Sequence, residues 1–145
     1  MTVARILKEK GRNVITVQET MSLLEVSEIL TQNKIGSTVV TNVNEEIVGI
    51  VSERDIVRTL GQEGLDALSK PISYCMTSEV VTCFETATID EVMAIMSQRR
   101  FRHMPVLENN KLAGIISIGD VVKIKIAETE REAAAMRSYI TASGY

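Results

Sequence analysis

Apolar positions along the chain follow two rhythms, and both halves use them in the same order. A short β-branched run comes first, at 14–17 (Val14, Ile15, Thr16, Val17) and again at 80–83 (Val80, Val81, Thr82, Cys83), and each reads as a strand. Helical spacing follows. Leu23, Val26 and Leu30 in one half, and Ile89, Val92 and Met96 in the other, predict helices over 22–33 and 88–99. Each helix opens on a hydroxyl residue with Glu three positions later, Ser22 with Glu25 and Thr88 with Glu91, the pattern of a capping box. Two further apolar runs then flank a polar turn, 38–41 with 47–51 and 104–107 with 112–116. Asn42 to Asn44 and Glu108 to Asn110 supply the turn chemistry. A second helical pattern closes each half, so the unit β-α-β-β-α occurs twice.

The two units are copies. Val14-Ile15-Thr16-Val17-Gln18-Glu19-Thr20 aligns with Val80-Val81-Thr82-Cys83-Phe84-Glu85-Thr86 at an offset of 66, which also pairs Glu25 with Glu91, Ile29 with Ile95 and Val40 with Val106. The offset then falls to 65, one residue being lost in the polar turn, where such a change is tolerated. Each copy ends on the frame Gly-x-x-Ser-x-x-Asp: Gly49-Ile50-Val51-Ser52-Glu53-Arg54-Asp55 and Gly114-Ile115-Ile116-Ser117-Ile118-Gly119-Asp120.

Ser followed three residues later by Asp is close to a capping box, with the acid near the positive end of the helix dipole. The same atoms suit a ligand. Early helix amides and a Ser hydroxyl can face a phosphate, and a carboxylate beside them can accept both hydroxyls of a ribose. Gly permits a close approach to the backbone. The two uses are compatible, and recurrence at matched positions favours the second.

A basic stretch, Arg99, Arg100, Arg102 and His103, runs into the strand of the second copy. At a helix C-terminus such residues simply meet the dipole. Arg also suits phosphate, because its planar fork donates to two oxygens at once. The first copy has Lys34, Gly36 and Ser37 at the matching positions, with Arg54 standing where the second copy has Gly119. The two ends of the repeat are therefore chemically unequal.

Outside the copies, Val3, Ile6 and Leu7 before Gly11 predict a short amphipathic helix. Gly61 and Gly64 end a helix, Leu65 and Leu68 suggest one more turn, and Pro71 can start another. Val122, Ile126, Thr129, Ala133, Met136 and Ile140 step by 4 and 3 in alternation, a heptad-like seam that fits packing on the N-terminal helix or on a second chain. Ser143-Gly144-Tyr145 reads as a frayed end. The organisation expected is an N-terminal helix over 1–12, repeats over 13–61 and 79–126, a linker over 62–78, and a helical extension over 127–145.

Composition narrows the function. The net charge of −3 across 145 residues is no attraction for nucleic acid. No apolar run approaches a membrane span, and the N-terminus lacks an apolar signal core, so a cytoplasmic location is expected. Cys75 and Cys83 do not form a CxxC, and His103 is the only histidine, so metal binding is not expected. No nucleophile is assembled with a base, so the chain does not read as an enzyme.

Two β-α-β-β-α repeats, each ending Gly-hydrophobic-x-Ser-x-x-Asp, resemble a tandem CBS domain pair, also called a Bateman module, of the small stand-alone bacterial kind. The resemblance covers about residues 3 to 126. It implies an α/β (α+β) fold with the repeats related by a pseudo-two-fold axis, extra N- and C-terminal helices, and two clefts. It further implies a homodimeric sensor of an adenine nucleotide, AMP, ATP or NAD(H), with S-adenosyl compounds ranked below these and an unknown downstream protein. Asp120 would take the ribose, while Ser117, Arg100, Arg102 and His103 would take phosphate. Val14, Ile35 and Ile115 would line the adenine pocket, and Ser52, Arg54 and Asp55 would form a second cleft. The alternative is a ligand-free dimerisation or protein-interaction module.

Overall fold

The computed structural model describes residues 1–143, so Gly144 and Tyr145 of the expected frayed end lie outside the described residues. The chain divides into two units, residues 13–81 and residues 1–12 with 82–145. The fold is mixed α and β, with a three-stranded sheet in each unit.

In the first unit, β1 (Thr16–Gln18) pairs parallel with β2 (Ser37–Thr41), which pairs antiparallel with β3 (Ile47–Ser52). The parallel pair is connected through α2 (Leu23–Asn33). Strand β1 starts two residues later than the β-branched run suggests. Just before it, the Thr38 hydroxyl donates to the Ile15 carbonyl. Helix α3 (Glu53–Glu63) follows β3 directly and stops at Gly64, whose φ of 79° suits glycine; Gly61 lies inside the helix. Two 3-10 turns, Leu65–Ser69 and Ile72–Tyr74, then return the chain to the helices. Leu23, Val26, Leu30, Val40, Val51, Ile56 and Ile72 form one core with Ala67 and Cys75.

The second unit repeats the plan with β4 (Cys83–Phe84), α4 (Ile89–Arg99), β5 (His103–Glu108) and β6 (Lys111–Ser117). Strand β4 is again late, beginning at Cys83 where the run 80–83 ends. Asn109 and Asn110 both have positive φ, 52° and 62°, which makes the two-residue hairpin turn match the twist of its strands. Thr88 and Glu91 form the full reciprocal capping box. Ser22 does only half of this: its hydroxyl oxygen accepts from the Glu25 amide, and its hydroxyl donates to the Glu25 carboxylate. The backbone around Ser22 is held instead by the linker, through Leu23 N–H to Lys70 and Ile72 N–H to Met21.

Helix α1 (Val3–Lys10) belongs to the second unit. Val3, Ile6 and Leu7 are its buried face, and its start is tied down by Val3 N–H to the Ala87 carbonyl. Helix α5 (Ile118–Ser143) runs for 26 residues. Val121 and Ile124 are buried, and Lys125 bonds Asp90 of α4 at 2.9 Å. The seam residues Val122, Ile126, Met136 and Ile140 are all exposed, so α1 does not cover them. From residue 129 to residue 142 every side chain is exposed.

Candidate functional site

The two Gly-x-x-Ser-x-x-Asp phrases occupy equivalent strand-to-helix turns. Ser117 closes β6 and Ser52 closes β3, and each following helix begins at the next residue. Both serines cap. The Asp120 amide donates to Ser117 Oγ at 3.2 Å, and the Asp55 amide donates to Ser52 Oγ at 3.3 Å. Both acids reach back, accepting from the Ser117 and Ser52 amides at 2.9 Å. The capping reading is therefore correct for both copies, and any ligand must use what capping leaves over.

The glycines are occupied as well. A Cβ on Gly114 would stand 2.5 Å from Leu7 Cδ2, and one on Gly49 would stand 2.5 Å from Met76 Sδ. The close approach that each Gly permits is made by the chain's own side chain, from α1 in one unit and from the linker in the other.

Two residues of the basic stretch, Arg102 and His103, are tied to the second phrase through the backbone. His103 is the strand partner of Ser117 across β5 and β6. The Ile118 amide donates to the Arg102 carbonyl at 2.8 Å, which fixes Arg102 beside the first turn of α5. Arg100 sits at the end of α4 with φ 58° and ψ 42°, the left-handed conformation usually given to Gly. Lys34, its counterpart, has φ 54° and ψ 44°. The first phrase has the same backbone, with Ser37 opposite Ser52 and the Glu53 amide on the Gly36 carbonyl, but not the same cations. Arg102, His103, Ile115, Ser117 and Asp120 thus share one unit, while Val14, Ile35, Ser52, Arg54 and Asp55 belong to the other. Ile35 is half-buried and lines a groove of about 430 Å³ between α2 and α3 that also takes in Lys34 and Glu53.

Sequence reasoning misses two cations. Lys10, in the last turn of α1, places its ammonium 2.7 Å from Asp120 Oδ2 and donates to the Ile115 carbonyl at 3.1 Å. Burial pushes the Asp120 carboxyl up, but the Lys10 bond and charge and the Ser117 amide together outweigh it and hold it below the usual carboxylate range. Asp120 Oδ2 therefore accepts from both Lys10 and Ser117, so a ribose that takes both oxygens must displace Lys10. In the first unit the cation is Arg58, whose guanidinium donates to Asp55 Oδ1 at 2.8 Å. Arg54, expected to serve there, is exposed one residue before Asp55, and the helix turn brings Arg58 round instead. The i, i+3 spacing of Asp55 and Arg58 is a usable signal; Lys10 lies 110 positions from its partner and offers none.

Cys75 and Cys83 are buried free thiols. Burial pushes Cys83 up to about 11 and also raises Cys75. Among the described residues, no group of three His, Cys, Asp or Glu is placed to hold a metal ion, and no helix is long and apolar enough to cross a membrane.

The family description "CBS domain" matches twice, over residues 3–62 and 72–126. This chain belongs to the CBS-domain family. Its fold matches a CBS-domain containing protein, ATU1752, from Agrobacterium tumefaciens, at 45% identity and a TM-score of 0.83, covering 86% of this chain and 92% of that one. It also matches the CBS domain pair of protein MJ0100 in complex with 5'-methylthioadenosine and S-adenosyl-L-methionine (26% identity, TM-score 0.78, 88% and 98% covered). A third match is the CBS domain protein PAE2072 from Pyrobaculum aerophilum complexed with AMP (28% identity, TM-score 0.74, 83% and 89% covered). Among the curated relatives it matches, the chain spans 71%, 66% and 64% of the length of three and 24% of a fourth.

Proposed function

We propose that this CBS pair is a regulatory module, not an enzyme, that binds an adenine nucleotide (AMP, ATP or NAD(H)) at the turn Ser117–Asp120 and acts as a homodimer on a downstream protein. Asp120 accepts from the ribose hydroxyls. Ser117, with Arg100, Arg102 and His103, holds phosphate, and Ile115 lies against the base; the Ile118 and Asp120 amides are already taken by the Arg102 carbonyl and by Ser117 Oγ. The observation that carries this reading is the backbone pairing that ties Arg102 and His103 to the turn at Ser117, which begins a helix and includes Asp120. AMP in one related structure, and two adenosine-bearing ligands without phosphate in another, support an adenosine ligand. The first phrase, with Ser52, Arg54 and Asp55, binds weakly, binds a different group or stays empty, because Gly36 and Ser37 stand where the second copy has Arg102 and His103.

A second reading has an observation of its own. Both phrase carboxylates are satisfied by donors of the chain itself, which suits a ligand-free interaction module. Melting curves with AMP, ATP, NAD⁺, NADH and S-adenosylmethionine separate the two. A ligand at a hundred times its Kd raises stability by about 2.7 kcal/mol. The expected shift is seen with one of these ligands, is lost in Asp120→Ala and is kept in Asp55→Ala, each judged against its own ligand-free baseline. No shift with any of the five supports the interaction module.

A further inference from the structure

Helix α5 outlasts its support. Residues 129–142 are exposed on every side, yet an isolated helix of this length is marginal in water. Its apolar residues are not scattered. Val122, Ile126, Met136 and Ile140 are 40%, 54%, 59% and 60% exposed, and with Thr129 and Ala133 they form one seam turned away from buried Val121 and Ile124.

The charges beside the seam choose its partner. With Val122, Thr129 and Met136 as d positions and Ile126, Ala133 and Ile140 as a positions, Lys125 and Glu132 fall at g, and Lys123, Glu130 and Arg137 at e. In a parallel pair each g residue meets the e residue five positions further along the other chain. Glu132 then meets Arg137, an attractive contact that occurs twice by symmetry, and Glu130 faces Lys125, whose ammonium is already bonded to Asp90 of its own unit and adds less. An antiparallel pair that keeps all six layers sets Glu130 against Glu130, Glu132 against Glu132 and Lys123 against Arg137. Each of these is repulsive.

We propose that the exposed seam of α5 is a self-association surface on which a second copy of this chain lies parallel and in register. It goes beyond the homodimer of the functional reading by assigning the face and the orientation, and it does not depend on any ligand. The small Thr129 and Ala133 layers let the helices approach closely at mid-seam, and the larger layers close it at both ends.

The test is sedimentation equilibrium of the full chain without ligand. Wild type is expected to be a dimer. Met136→Glu places like charges in a core layer and should raise the dimer Kd more than tenfold. Arg137→Glu and Glu132→Arg should each weaken self-association by about tenfold, and mixing these two variants should restore a mixed dimer. Ile140→Cys should cross-link under mild oxidation, because only the parallel pair brings the two copies of position 140 together. All these positions are exposed, so far-ultraviolet circular dichroism should confirm an unchanged fold. A wild type still monomeric at about 100 micromolar, a concentration that populates even weak complexes, overturns the proposal. So does a dimer indifferent to Met136→Glu, which uses another face. Tighter association of Arg137→Glu, which in an antiparallel pair would set the introduced carboxylate against Lys123, reveals that pair and overturns the proposal too.

Discussion

Replacing Lys10 with Met tests the contact that ties α1 to the candidate site. The ammonium lies 2.7 Å from Asp120 Oδ2, and the side chains are 40% and 26% exposed. Unit charges about 4 Å apart attract by about 1 kcal/mol in water and about 4 kcal/mol near a protein surface. Ordering the long Lys side chain and stripping water from both groups cancel much of this. A net loss of about 1 kcal/mol is expected in Lys10→Met, which keeps the aliphatic stem. For a chain of 145 residues this lowers Tm by about 3 °C. A double-mutant cycle of Lys10→Met with Asp120→Asn, followed by urea unfolding, isolates the pair, and a coupling of about 1 kcal/mol is expected. The folded Asp120 carboxyl is depressed below the ordinary value of about 3.9, so its contribution is present above that pH and is lost as pH falls through the folded value. The coupling should therefore be full at pH 7 and fall away as pH drops through the folded Asp120 value. Ligand binding gives a second readout. A ribose that takes both Asp120 oxygens must displace Lys10, so removing Lys10 should tighten AMP binding about fivefold, the equivalent of about 1 kcal/mol. Coupling below about 0.3 kcal/mol would refute the structural argument. Weaker AMP binding in Lys10→Met would refute the competition between Lys10 and the ribose.

Gly114→Ala would force its Cβ to within 2.5 Å of Leu7 Cδ2, so a loss of about 1–3 kcal/mol is expected, together with faster hydrogen exchange in α1. Arg100→Gly relieves a left-handed residue with φ 58° and should raise stability by about 0.5–1 kcal/mol while weakening nucleotide binding; calorimetry reads both. Cys75 and Cys83 should resist a thiol reagent at about pH 8 and react only on unfolding, because both are buried and Cys83 is pushed up to about 11. Rapid labelling of the native protein would refute that reading.

The duplication, the element order and the two capping turns are local properties, and the sequence determines them alone. Apolar spacing selects helix or strand, and Ser-x-x-Asp closes on itself within four residues. The starts of β1 and β4 are misjudged by two and three residues because the length of a ladder depends on where the partner strand pairs, which β propensity cannot register. The cations on the carboxylates mark the sharper boundary. Arg58 reaches Asp55 within one helical turn and is implicit in the spacing. Lys10 reaches Asp120 only because Leu7 seats α1 on Gly114, and it takes up the Ile115 carbonyl as well. The matching carbonyl, Ile50, accepts from the Thr77 backbone amide. Two copies of one phrase thus have different neighbours, because contacts between residues far apart in the chain depend on which element is packed against each sheet, and only the tertiary structure decides that.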